Sequence, residues 1–281
     1  MLVPERSNGK NEDMVPASSR VACGARQGRL TCGLAKGMLN QPITDLLMNP
    51  LKISAKNLGA LAMPTFCPRC FWLKAHLKLP FQIFPGIFAT IDSYSKKVTN
   101  VFWEFKDRLP NWFLEFGDLS RPVPTPHHTK FFVVDEQTGI RLTGVPDEII
   151  RRTDGSYFIV DYKTAKFTGS QDQLLPMYDV QLNAYAYIGN RYGFTPVTGI
   201  GLVYYEPQTD LGEDDLPAVV GERRFLMPFA PKLLPLELRP EEQIPPLLMQ
   251  VEAVLRQRRP PKGRDGCQDC ERLDELLRFL G

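Results

Sequence analysis

Gly144-Val145-Pro146-Asp147-Glu148-Ile149-Ile150-Arg151-Arg152-Thr153-Asp154-Gly155-Ser156-Tyr157-Phe158-Ile159-Val160-Asp161-Tyr162-Lys163 decides how this chain is to be read. Apolar residues on either side of Thr153-Asp154-Gly155 mark two strands, and those three residues suit a hairpin loop with Gly155 in the left-handed position. Arg152 then opposes Ser156, and the same pairing continued along the ladder sets Asp147 opposite Asp161. A strand alternates sides, so Asp161 and Lys163 project from one face and Tyr162 from the other. Carboxylates placed directly opposite, with Cβ atoms about 4.5–5.5 Å apart, repel one another and destabilise a sheet. A divalent cation removes that cost. Carboxylate oxygens suit Mg²⁺ or Mn²⁺, which keep several waters and bridge to phosphate. Lys163 is then placed to orient or deprotonate an attacking water, or to stabilise charge developing on phosphorus. Phosphodiester hydrolysis is the reaction class that needs these parts.

Working outward, Lys130 to Asp135, Ile140 to Arg151 and Ser156 to Lys163 read as three strands of an antiparallel meander, joined by turn-type sequences. A helix around Gln173 to Tyr192 carries Gln181-Leu182-Asn183-Ala184-Tyr185, and the spacing predicts a bend or break near Pro176. A strand over Thr198 to Tyr205 follows. Upstream, Ser54 is suited to cap a short helix ending before Pro64, Pro68 to Leu79 reads as a helix, and Ile87 to Leu109 has apolar residues recurring at three and four. Residues 117–129, with Pro122, Pro124 and Pro126, read as loop. Residues 207–261 hold 10 of the 25 prolines, leaving one long helix over Pro246 to Arg258. Cys267 to Leu280 closes the chain as a short helix. This order predicts a mixed α/β fold with a central mixed sheet flanked by helices.

Composition bounds the function. With 281 residues, 43% hydrophobic and 23% charged, the chain can bury a core, and its bulk charge of +2 does not by itself announce nucleic-acid binding. It has no run of 18 apolar residues, and its first residues carry Glu5 and Arg6 where a secretory signal would be apolar. The expectation is a cytoplasmic protein with no membrane partner. Residues 1–50 lack apolar periodicity and read as a poorly ordered extension that includes two free thiols, Cys23 and Cys32; Met38 and Met48 offer later starts. Residues 51–281 read as one domain. Cys67-Pro68-Arg69-Cys70 and Cys267-Gln268-Asp269-Cys270 supply four thiolates, which suit tetrahedral Zn²⁺ or an iron–sulfur cluster and would staple the two ends of the domain.

Gly144 to Asp147, Asp161 to Lys163 and the Gln181-x-x-x-Tyr185 helix together resemble the PD-(D/E)XK nuclease superfamily. The resemblance is to its RecB-like branch, which includes the CRISPR-associated RecB-like exonucleases and the AddB helicase-nucleases. It covers roughly residue 51 to the C-terminus and implies a restriction-endonuclease-like core. It implies a Mg²⁺- or Mn²⁺-dependent DNA nuclease of exonuclease type, acting in repair, recombination or defence on single strands or free ends, alongside a helicase or a repair or defence protein. Asp147 and Asp161 would bind the metal, Lys163 would be catalytic, and Gln181 and Tyr185 would support the site and contact DNA. The branch often has a histidine ligand on an upstream helix. Here Ile87 to Leu109 has none, Asp92 is the acidic substitute, and His127 and His128 wait in the following loop. For the cysteines the resemblance implies a 4Fe-4S cluster with Zn²⁺ as the alternative, although relatives divide their cysteines one and three where this chain divides them two and two.

Arg256, Arg258, Arg259, Lys262 and Arg264 run up to the second pair, and Arg69, Lys74 and Lys78 flank the first. Together they are suited to track a phosphate backbone. Phe71, Trp72, Trp103 and Trp112 read as core, and His76 as a solvated helix position. Two other classes compete with the enzyme: an inactive nucleic-acid-binding module, and a metal-stapled structural subunit of a larger complex.

Overall fold

Helix and strand signals convert into structure most directly where a cap or turn fixes the local geometry. The computed structural model of the chain describes residues 51–77, 86–167 and 173–280. The expectations for residues 1–50, with Cys23 and Cys32, and for Lys78 lie outside them. Strand β1 (Lys52–Ser54) leads into helix α1 (Ala55–Gly59), whose N-cap Ser54 accepts a hydrogen bond from Asn57 N–H. Helices α2 (Pro68–Leu77) and α3 (Gly86–Lys106) follow.

Five strands build the central sheet: β2 (Leu119–Val123), β5 (Glu148–Arg152), β6 (Tyr157–Lys163), β7 (Val197–Pro207) and β10 (Phe229–Leu236), in the order β10-β7-β6-β5-β2, while β8 (Val220–Gly221) and β9 (Arg224–Phe225) pair only with each other. β5 and β6 form the hairpin read from the sequence. Glu148 faces Val160 and Arg151 faces Tyr157, and Arg152 N–H donates to Ser156 O at 2.8 Å. β6 and β7 are parallel, so the chain must cross over between them, and it does so through helix α4 (Leu175–Tyr192). Pro176 sits in the first turn of α4, where a missing N–H costs nothing, rather than bending it. Ten consecutive residues of α4, Val180 to Gly189, are buried, as expected of a helix packed on several sides.

The expected three-stranded meander is corrected. Strands β3 (Phe132–Val134) and β4 (Arg141–Thr143) pair with each other and with β1 in a separate three-stranded sheet. The single strand expected over Ile140 to Arg151 is thus two strands in two sheets, broken at Gly144-Val145-Pro146. Pro146 has no N–H for a ladder and restricts the residue before it. Two further strands lie in proline-rich sequence expected to lack them. β2 contains Pro122, and β10 contains Pro231 and Pro235. Both are edge strands, where one side of the backbone needs no partner and proline is tolerated. The helix expected over Pro246 to Arg258 is α5 (Pro240–Leu255), which begins earlier and carries Pro245 and Pro246 in its early turns. Helix α6 (Gln268–Leu280) ends the described chain.

Two hydrophobic clusters cover the faces of the central sheet. Ile149, Ile159, Leu202 and Tyr204 pack with α4 and α5 on one face. Ile150, Phe158, Val160, Tyr162 and Val203 pack with Phe113 and Phe116 on the other. This alternation assigns Asp161 and Lys163 to the α4 face.

Candidate active site

Where β5 begins, the ladder gives way to side chains. Asp147 precedes the strand, and its Oδ2 accepts a hydrogen bond from Tyr162 N–H at 2.7 Å, a bond that a ladder carbonyl would otherwise supply. Continuation of the observed register sets it across from Asp161, which is 3% exposed. Lys163 Nζ forms a close ion pair with the buried Asp161 Oδ2. Burial, then the charge of Asp147, pushes the Asp161 carboxyl up, with Lys163 acting in the opposite direction.

Helix α4 closes the site. Gln181 Nε2 donates to Tyr185 Oη at 2.7 Å, while Gln181 Oε1 is buried without a hydrogen bond. Tyr185 lies against the backbone at Gly144, where a Cβ would come within 2.5 Å of the ring. The glycine of the G-x-x-D sequence is therefore required by the tyrosine of the Q-x-x-x-Y sequence.

Lys96 and Tyr178 join the site from outside the sequence motifs. Lys96 Nζ reaches Asp147 Oδ1 and Asp92 Oδ2, each at 2.8 Å. Burial works against the Lys96 charge, but Asp147 and Asp92 more than offset it and hold the proton on well above the usual lysine range. The Lys163 ammonium lies 4.1 Å from the centre of the Tyr178 ring, a cation–π contact. Tyr178, Gln181 and Tyr185 fall at i, i+3 and i+7 of one helix face, a spacing that is legible in the sequence. Lys96 stands one turn after Asp92, and nothing local marks it. Glu148, on the opposite face, is also buried, and desolvation followed by Asp147 pushes its carboxyl up to about 7.

The remaining expected residues separate from this group. Asp92 is held by Lys96 and meets Asp147 through it. His127 and His128 are exposed, with His127 bonded to Thr129 at 2.9 Å. His76 is half-buried, stacked on Trp72 with ring centres 4.0 Å apart, and not on a solvated face. Trp72 is buried, while Phe71, Trp103 and Trp112 are half-buried.

The four cysteines come together. Their sulfurs all lie within 4.8 Å of one another, close enough to hold a metal ion between them. At Cys67, burial works upward, but the N–H groups of Cys70 and Arg264 bring the thiol down to about 6; burial pushes Cys270 up to about 11. Arg69 joins the same two segments through Asp274, with contacts of 2.6 and 3.0 Å. Arg256, Arg258, Arg259, Lys262 and Arg264 are all at least partly exposed.

The acidic donors suit a hard cation. Two carboxylates supply oxygen ligands, and Gln181 Oε1, buried without a hydrogen bond, leaves an acceptor for a water of such an ion. Among the described residues, no helix is long and apolar enough to cross a membrane.

The family model described as the PD-(D/E)XK nuclease superfamily matches residues 88–274. No curated protein matches the chain. Among solved structures, that of SSO0001 is 13% identical over 76% of this chain and 81% of its own, with a TM-score of 0.33.

Proposed function

The chain belongs to the PD-(D/E)XK nuclease superfamily, and from that membership and its acidic site we propose that it is a Mg²⁺- or Mn²⁺-dependent DNA nuclease of the RecB-like exonuclease type. Asp147, Asp161 and Lys163 at the adjoining ends of two paired strands carry this reading. In it, Asp147 and Asp161 hold the cation, which when bound polarises the scissile phosphate and offsets charge as the bond breaks.

The protein's own groups do the rest. Asp147 is oriented by the Tyr162 N–H, so its second oxygen is free of the backbone. Lys163, steadied over Tyr178, directs the attacking water and offsets charge on the phosphate oxygens. Gln181 and Tyr185, tied to each other, close the buried side and leave Gln181 Oε1 there as an acceptor without a hydrogen bond. Asp92 supplies a further carboxylate once Lys96 moves away. The basic run before Cys267 offers phosphate contacts for a single strand or a free end. Residues 51–281 act as one nuclease unit, in the cytoplasm, within repair, recombination or defence and beside a helicase or similar partner.

Cleavage of end-labelled single- and double-stranded DNA with Mg²⁺, Mn²⁺ or EDTA, comparing wild type with Lys163→Ala, tests this. We expect cation-dependent cleavage that disappears in the variant. Equal inactivity with retained DNA binding would establish an inactive binding module instead.

A further inference from the structure

The two C-x-x-C pairs repeat one local design. Cys67 and Cys267 immediately precede helices α2 and α6, and Cys70 and Cys270 lie in the first turns. The Cys67 and Cys267 carbonyls accept the first rungs of those helices, from Phe71 and Glu271 N–H at 3.0 and 3.1 Å. Arg264 N–H donates to Cys67 Sγ at 3.2 Å. The loop bends closely around the sulfurs, because a Cβ on Gly263 would lie 2.8 Å from Cys270 Sγ. Two helix N-termini and the nearby Arg69 guanidinium set positive charge against this group.

Sulfur spacing distinguishes a single ion from a cluster. Cys67–Cys270, Cys70–Cys270 and Cys70–Cys267 are 3.6, 3.5 and 3.7 Å apart, and no sulfur lies more than 4.8 Å from another. Metal–sulfur bonds of about 2.3 Å in a tetrahedron set the sulfurs about 3.8 Å apart. A 4Fe-4S cube instead puts its own iron beneath each thiolate, with the whole cube between the four sulfurs. Sulfurs in mutual contact enclose space for one ion and none for four irons with their sulfides. We infer that the four cysteines hold a single tetrahedral thiolate-bound ion of the zinc class, and not the 4Fe-4S cluster implied by the family resemblance.

The test uses the whole chain, purified anaerobically from cells supplied with both iron and zinc, so that a labile cluster would survive. We expect about one zinc per chain, no acid-labile sulfide, and a zinc-edge X-ray absorption spectrum with four sulfur neighbours at about 2.3 Å. Exchange into Co²⁺ should give the visible bands of a tetrahedral thiolate site, without needing a cysteine variant to fold. About four irons and four sulfides per chain, with a brown chromophore lost in air, would overturn the inference. So would a chain that binds neither metal, or zinc with nitrogen or oxygen neighbours. Each readout is independent of DNA cleavage, so failure here leaves the nuclease reading standing, and the reverse also holds.

Discussion

The acidic site and the cysteine site are both built from groups that repel one another without a cation, yet the fold treats them in opposite ways. At the cysteines the chain supplies a complete set of like donors: two helix starts, an N–H on Cys67 Sγ and a glycine-containing loop gather four converging sulfurs. At the acids the chain leaves matters open. Gln181 Oε1 lacks a hydrogen bond, and the carboxylates are met by two displaceable lysines, Lys96 and Lys163. A saturated site exchanges nothing and contributes stability, whereas a site with unused acceptors can take up a cation, water and phosphate in turn. On the proposed reading, that difference is the one between a staple and a reaction centre.

The largest test of that separation is Asp161→Asn. Cleavage should fall on the order of 10³-fold or more, while the melting temperature stays about level, because relief of the repulsion from Asp147 offsets loss of the Lys163 ion pair. Thermal melts beside cleavage assays check this; a variant that unfolds would make the acid pair structural. Next comes Gly144→Ala. A methyl pressed on the Tyr185 ring should cost about 1–3 kcal/mol by overpacking and lower the cleavage rate at saturating DNA, measured by denaturant unfolding and single-turnover kinetics.

Lys96→Met sharpens the comparison in the opposite direction. Lys96 is a cation already seated between Asp92 and Asp147, and a half-exposed ion pair contributes about 1 kcal/mol. Removing it should tighten Mn²⁺ binding about fivefold, measured by calorimetry with the cleavage-dead Lys163→Ala background. Weaker binding would show that Lys96 organises the acids rather than competing for them. The smallest effect belongs to Arg69→Met beside the cysteines. Arg69 holds the Asp274 carboxyl below its ordinary range. A carboxyl depressed on folding contributes stability above its unfolded value and loses it as pH falls through the folded one. The variant should therefore melt slightly lower than wild type near neutral pH and converge with it in acid, as thermal scans across pH would record.

Legibility in the sequence follows the range of the determining interaction. The β5–β6 register depends on a three-residue turn and on alternation, both local, and so turn chemistry and strand periodicity alone suffice to bring Asp147, Asp161 and Lys163 together. Tyr178 is equally local, at i−3 from Gln181, and the same helical spacing reaches it. Lys96 is not, because its meeting with Asp147 depends on how α3 lies against the sheet. Edge strands β2 and β10 are hidden for a related reason: proline forbids a strand only where both sides of the backbone need partners, and which strand lies at an edge is a property of the whole sheet.

By itself, then, the sequence determined the hairpin, the helix face behind it, and the pairing of hard oxygen donors in one place with soft sulfur donors in another, since spacing, turn chemistry and ligand type are all written in order along the chain. Only the tertiary structure decided that Ile140 to Arg151 divides between two sheets, that Lys96 occupies the acids, and that four sulfurs from segments nearly 200 residues apart come within 4.8 Å. Those outcomes depend on packing between distant segments, where a few ångströms separate one ion from a cluster and no local rule reaches.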